Sequence, residues 1–456
     1  EPLPDLFDPQ SGLAPLNSTE STGYSMTLTW DIDDEWQFKS ITAYRETDTE
    51  NNIDFDTTPA PIVDSAPVYF DDQTTQEFQL IYSGGGRFSG VLGLYYFDGF
   101  AGGTVKATFV GSTFTTTDGD MGTESYALYF DGNYKLTDRL TLNMGLRPTR
   151  ETKEGRAFNV FNTDATFENI LFVTADFKDD VTFESWAPKL GLQYQFNDDV
   201  MGYVSASQGF KSGGYNVRAQ QSVFPDSALP FDDEVMTMGE VGLKTVLADG
   251  RLLLNGAVFY GDYTDIQVST FTDYDSNGDG VNDAFFGNFL NAGDATVQGV
   301  ELEYAYDSPT WFGLSGFLAY LDAEPDGFLD SNDDGLVDTL VITNAPELTG
   351  ALRLNVDFPA FGGLITGSVG YSYRDDSVLT NEGQGVLPLS QDAYGLLDAW
   401  IAWLSPEAKW RLAISGKNLA DEEYMTSGYN LPALGTVVGS YGAPRTILAT
   451  VEYRFF

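Results

Sequence analysis

The chain contains neither cysteine nor histidine. Without thiols there is no disulfide scaffold and no thiolate metal site. Without imidazole there is no Ser-His-Asp triad, no histidine general base and no histidine-ligated zinc or haem iron. Basic residues are scarce as well, 23 against 68 acidic ones, for a net charge of −45. Such a balance excludes nucleic acid as a partner, because phosphate recognition needs basic patches; its plainest reading is a salt-adapted surface. There is no Walker-type Gly-Lys-Ser/Thr loop and no dinucleotide fingerprint. No stretch approaches the roughly 20 apolar residues of a membrane helix, and the acidic, proline-bearing opening EPLPDLFDPQ is not a signal peptide. Disorder is excluded in turn, since 42% of the residues are hydrophobic.

What the chain has instead is aromatic residues, 33 Phe, 25 Tyr and 7 Trp, set into segments of period two. In the closing stretch Ile447, Ala449, Val451, Tyr453 and Phe455 alternate with Leu448, Thr450, Glu452 and Arg454, a strand with one oily and one wet face. An aromatic end of this kind suits the closing strand of an outer-membrane barrel, which needs a ring at the lipid–water boundary. The same unit recurs along the chain. Leu140, Leu142, Met144 and Leu146 oppose Thr141, Asn143, Gly145 and Arg147, and Val300, Leu302, Tyr304 and Tyr306 flank Glu301 and Glu303. A charge facing lipid at mid-bilayer costs about 2–4 kcal/mol, so a face kept free of charge in strand after strand signals lipid.

Hairpin partners are joined by tight turns such as Asp33-Asp34, Asn197-Asp198-Asp199 and Ala248-Asp249-Gly250. Between hairpins the sequence predicts long acidic loops at about 50–73, 99–121, 152–181, 209–233, 265–293, 322–345, 375–389 and 418–443. A β-propeller would repeat a four-strand blade motif, and none is found. Short turns on one side with long loops on the other predict an all-β, antiparallel transmembrane β-barrel. About 17 strands are counted, whereas bacterial single-chain barrels close with an even number. The expectation is therefore a chain that is barrel throughout residues 1–456, opening in an extracellular loop at 1–22 and lacking upstream strands.

Several strings resemble TonB-dependent outer-membrane receptors: ITAYRETDTENNIDF at 41–55, QEFQL at 76–80, GVLGLYYF at 90–97, SASQGFKSGGYN at 205–216, EVGLKT at 240–245, NAGDATVQGVELE at 291–303 and GKNLADEEY at 416–424. The likeness covers nearly all of residues 24–456. It implies a barrel of 22 strands in a Gram-negative outer membrane, in contact with membrane lipid and lipopolysaccharide. It also implies a plug and a TonB box upstream, coupling to the TonB–ExbB–ExbD complex, and energised uptake of a scarce ligand, by default a ferric siderophore. This sequence shows neither plug nor TonB box, and it departs from the family in ending on Phe455-Phe456.

Two loops carry the first nine positions of an EF-hand-type calcium loop. In one, Asp275, Asn277, Asp279 and Asp283 surround Gly280; in the other, Asp330, Asn332, Asp334 and Asp338 surround Gly335. Oxygens at positions 1, 3 and 5 converge when a glycine at 6 allows the sharp turn. Position 12 lacks the bidentate Glu, being Phe286 and Val341, and Asp/Asn/Gly strings are also ordinary turns. The doubled pattern is read as calcium ordering these loops. A second candidate is Phe210, Lys211, Tyr215 and Arg218. The preferred reading is a structural turn bent at Gly213-Gly214; the alternative is an inward basic and aromatic cluster holding an anionic, aromatic ferric chelate. No catalytic residues are expected. The rival functions are a passive porin-like channel, decided by whether a plug precedes this stretch, and an adhesive barrel with calcium-ordered loops, separated from a transporter by an uptake assay.

Overall fold

The structure is a computed structural model that describes residues 11–274, 284–326, 328–329, 338–339, 341–380, 389–431 and 436–455. Seventeen strands form one antiparallel meander in which each pairs with its sequence neighbours. They are β1 Asn17–Asp31, β2 Trp36–Asn51, β3 Val63–Tyr82, β4 Phe88–Phe109, β5 Thr113–Lys135, β6 Leu140–Asn162, β7 Ile170–Asn197, β8 Val200–Lys211 and β9 Glu234–Leu247. Then follow β10 Leu252–Thr264, β11 Ala295–Asp307, β12 Phe312–Pro325, β13 Leu348–Ala360, β14 Gly363–Arg374, β15 Tyr394–Leu404, β16 Trp410–Lys417 and β17 Thr446–Tyr453. A two-residue piece, Ile53–Asp54, adds to the edge of β3. Among the described residues β1 is paired with β2 alone and β17 with β16 alone.

Side-chain period two separates an oily outer face from a wet inner one. Leu192, Val204, Val241, Val258, Val300 and Tyr320 stand exposed on the outer face, in register across β7 to β12. Between them the inner face carries polar groups that satisfy one another. The Tyr129 hydroxyl donates to Glu77, which also accepts from Gln79 Nε2 at 2.8 Å; Tyr203 donates to Glu240 at 2.5 Å; the Arg147 guanidinium lies 5.3 Å from the Tyr95 ring centre. Aromatic rings mark both boundaries of the oily band. At the short-turn side Trp36 meets Tyr82 at 4.7 Å, Tyr82 meets Phe88 at 5.8 Å, and Trp410 meets Tyr453 at 4.5 Å. At the other side Tyr24 faces Tyr44 across its ladder, and Tyr96 and Tyr126 lie 5.0 Å apart. Aromatic girdles at these two levels are the mark of a barrel wall in lipid.

Three of the expected long loops prove to be strand. A membrane-spanning strand needs about 9–11 residues, yet β4, β5 and β7 run 22, 23 and 28 residues. The expected loop at 99–121 is a continuous ladder from Gly99 to Phe109 and back from Thr113, closed by three residues. The segments 50–73 and 152–181 are likewise mostly ladder, and the expected terminal loop 1–22 already contains β1 from Asn17 onward. Above the lipid both faces are wet, so apolar alternation ends, while threonine-rich backbone such as Thr113 to Thr117 keeps pairing.

Candidate functional site

Beyond β8 the chain leaves the wall as a loop, 212–233, that folds over the inner side of β6 and β7. Its base is pinched by paired backbone bonds, Gly214 N–H to Phe231 O at 3.1 Å and Phe231 N–H to Gly214 O at 2.9 Å. The pinch requires glycine next door, because a Cβ on Gly213 would stand 2.0 Å from Phe231 O. The wall grips the loop through Asn159 of β6. Its side-chain amide donates to Val217 O at 3.0 Å and Ala219 O at 2.9 Å, and its Oδ1 accepts from Asp118 N–H at 3.2 Å. Ala175, Ala219 and Ala228 close the contact, with Phe177 packed against them.

A separate hairpin, Gln267–Tyr274 with Ala284–Asn291, covers the loop from the opposite side. Asn216 Nδ2 donates to Gly287 O at 3.1 Å, and Tyr274 donates to Gln220 Oε1 at 2.9 Å. Gln267 Nε2 bridges the carbonyls of Lys211, Ser212 and Asp232 at 3.0–3.3 Å. Between loop and hairpin lies a groove of about 670 Å³ lined by Phe224, Asp226, Phe231, Phe286, Phe289 and Asn288. Phe224 stacks on Phe286 at 4.8 Å, and Phe231 tilts against Phe289 at 4.7 Å. Aromatic faces with a few amide and carboxylate groups suit a flat or chelated ligand better than a bare ion.

The four residues singled out by sequence do not share one surface. Phe210 keeps the period of Val204 on the outer face of β8, away from the mouth. Lys211, on the inner face, lies 3.5 Å from Glu234 Oε1 and 5.8 Å from the Phe289 ring centre. Tyr215 is buried over Gly155 of β6, where any Cβ would strike its ring, and packs 5.9 Å from Phe177. Burial and then the charge of Asp179 push its phenol up to about 12. Arg218 donates to Ser269 Oγ at 2.7 Å and Asn288 O at 3.4 Å. Burial lowers its pKa from the ordinary arginine value, opposed by the nearby phenols of Tyr429 and Tyr69. Lys211 and Arg218 thus each touch one residue of the groove wall, Phe289 and Asn288, without lining the groove themselves; Tyr215 supports the loop from behind, and Phe210 belongs to the outer wall.

Both calcium-pattern loops lie outside the described residues, except for Asp338, whose backbone pairs with Leu329. Among the described residues the acids Asp54, Asp56 and Asp64 bring oxygens within 4.8 Å of one another. Two of them organise turns: Asp56 accepts from the N–H groups of Thr58, Ile62 and Val63, and Asp54 from those of Gly12 and Thr57. Burial, then the neighbouring Asp54 and Asp56, raise the pKa of Asp64. This trio escaped the sequence reading because Asp64 meets Asp54 only across a ladder.

An oily outer face, a wet inner face, two aromatic girdles and tall strands on one side define an outer-membrane β-barrel with a loop-lined mouth. The chain belongs to the TonB dependent receptor-like β-barrel family, which it matches over residues 4–419; its relatives are transport receptors rather than enzymes. It is 24% identical over 349 residues to the pesticin receptor of Yersinia pestis, covering 73% of this chain and 44% of that one. It is 25% identical over 274 residues to the metal-pseudopaline receptor CntO of Pseudomonas aeruginosa, covering 59% and 33%. The crystal structure of the ferric yersiniabactin uptake receptor FyuA from Yersinia pestis superposes with a TM-score of 0.77 at 20% identity, over 97% of this chain and 62% of that one. The chain spans less than half the length of the curated relatives it matches.

Proposed function

We propose that this barrel serves energised uptake of a scarce metal chelate, a ferric siderophore first among them, with TonB–ExbB–ExbD supplying the energy through parts of the receptor outside this chain. The observation that carries the reading is the aromatic groove between loop 212–233 and the hairpin above it, on a chain of the receptor family. The relatives' names support the cargo class, since they include receptors for metal-pseudopaline and ferric yersiniabactin. In this proposal Lys211 and Arg218 brace the groove wall through Phe289 and Asn288, and calcium orders the loops 275–283 and 330–338.

The test is accumulation of radio-iron by cells with and without the protein, each offered a panel of ferric siderophores. Uptake that requires the protein and stops when the proton gradient is collapsed supports the proposal. Uptake that persists without the gradient makes the barrel a passive channel, and equal uptake by both cells removes transport of these cargoes altogether.

A further inference from the structure

The groove between loop 212–233 and the hairpin above it is poor in positive charge, and so is the wall beneath it. Among the described residues no lysine or arginine lines the groove, whose ionisable side chain is Asp226. The hairpin that roofs it belongs to a run between Arg251 and Arg353 that contains no lysine or arginine, while carboxylates recur along it. That run also supplies β10, β11 and β12. Glu301 and Glu303 of β11 alternate with Val300 and Leu302, which are exposed on the outer face, so both acids face inward below the groove. Beside them stands Glu240 of β9, which accepts from Tyr203 at 2.5 Å. Lys244, nearer the short turns, lies 5.8 Å from the Tyr203 ring centre.

The two cations that touch the groove wall leave this balance in place. Lys211 stands 3.5 Å from Glu234 Oε1, and Arg218 donates to Ser269 Oγ and Asn288 O. On β6 and β7, by contrast, cations are present and matched: Lys153 with Glu151, Lys178 with Glu154, and Arg156 with Asp118 and Asp120, at 2.6–3.4 Å. The lack of cations thus belongs to the groove's side of the barrel rather than to the acidic surface as a whole. Walls of one sign focus their field into a cleft, and a like charge brought against them is rejected. Aromatic rings act in the same direction, since their faces attract cations, and Phe224, Phe231 and Phe289 line the groove. We infer that the groove selects its cargo by charge, taking a neutral or cationic metal chelate and rejecting an anionic one. This rests on the reading of the barrel as a metal-chelate receptor and adds to it the charge class of the ligand.

Two measurements separate this inference from the reading beneath it. The first needs no cargo. A nitroxide on L229C, an exposed groove residue, meets a neutral and then an anionic paramagnetic relaxer at low salt, with A408C on a short turn as the reference. Collision with the anionic agent, relative to the neutral one, should be at least about threefold lower at Leu229 than at Ala408, and salt should shrink the difference. Equal exclusion at both positions, the mark of a uniformly acidic surface, overturns the inference, as does freer access of the anion at Leu229. The second measurement is binding of one ferric trihydroxamate whose terminal amine is free, acetylated or succinylated, so that net charge steps from positive through neutral to negative. The first two forms should bind at least about tenfold tighter than the third, and D226K should narrow the gap. A succinylated form that binds as well as the others overturns the inference and leaves the receptor reading standing. Binding of none, with the anion still excluded at Leu229, supports the groove's charge preference and removes ferric trihydroxamates from the receptor's cargo.

Discussion

Replacing Asn159 with alanine isolates the grip of the barrel wall on loop 212–233. Asn159 is buried, 4% exposed, and makes three hydrogen bonds, two of them to the carbonyls of Val217 and Ala219. Each bond contributes about 1 kcal/mol net, and a buried carbonyl left without a donor costs about 1–3 kcal/mol. Losing the pair should therefore weaken the loop's attachment by about 2–4 kcal/mol, a rise in local opening of roughly thirty-fold to several hundred-fold. The barrel should hold, because the membrane-spanning parts of β6 and β7 keep their own ladders. Hydrogen exchange read by mass spectrometry separates the two effects. Amides in 214–229 should exchange faster by about that factor, while those in 186–196 should be unchanged. Unaltered exchange in the loop would refute the assignment of Asn159 as its anchor, and equal acceleration in both segments would mean that loop and barrel open together.

Other perturbations probe the remaining contacts. Leu192→Arg puts a charge on the outer face midway along the spanning part of β7 and should cost about 2–4 kcal/mol in urea unfolding from lipid vesicles, whereas Gln193→Arg, one residue on and facing inward, should cost far less. Gly213→Ala places a Cβ 2.0 Å from Phe231 O and should open the pinch, seen as faster exchange at the Gly214 and Phe231 amides. At Asp64 the raised pKa means that folding disfavours the charged form: the penalty is absent below the ordinary carboxylate pKa and complete once pH exceeds the raised one. Asp64→Asn should therefore slow exchange across 53–65 at neutral pH in the absence of divalent cations and make no difference in acid; a variant less protected than the parent at neutral pH would contradict this.

Where one face meets lipid and the other water, the sequence carried the fold plainly. The alternation through Leu190, Leu192 and Tyr194 places β7 and its turn at Asn197, and the seventeen strands follow from the same pattern repeated. It failed above the membrane, where Thr115 to Thr117 and Gly102-Gly103 lie in ladder although nothing apolar marks a face. There, strand is maintained by cross-strand partners such as Lys106 opposite Thr116, and register is not a local property of sequence. The site was legible in part. Lys211 and Arg218 stand out as cations in an acidic chain, but the loop expected from residue 209 takes in Phe210, which is still strand, because the exit point of β8 at Lys211 is not visible in the sequence. Asn159 and Gly155, which hold the loop, lie more than fifty residues from it and look like any polar strand residue.

The central claim is a wall with lipid on one side and water on the other, and the absence of native cysteine makes it directly measurable. Single cysteines placed in turn at positions 187 to 196, spin-labelled in bilayers, should alternate residue by residue. Leu190, Leu192 and Tyr194 should be open to oxygen, and Lys189, Gly191 and Gln193 to a water-soluble nickel chelate. Uniform accessibility along the strand, or oxygen favouring the odd positions, would contradict the account.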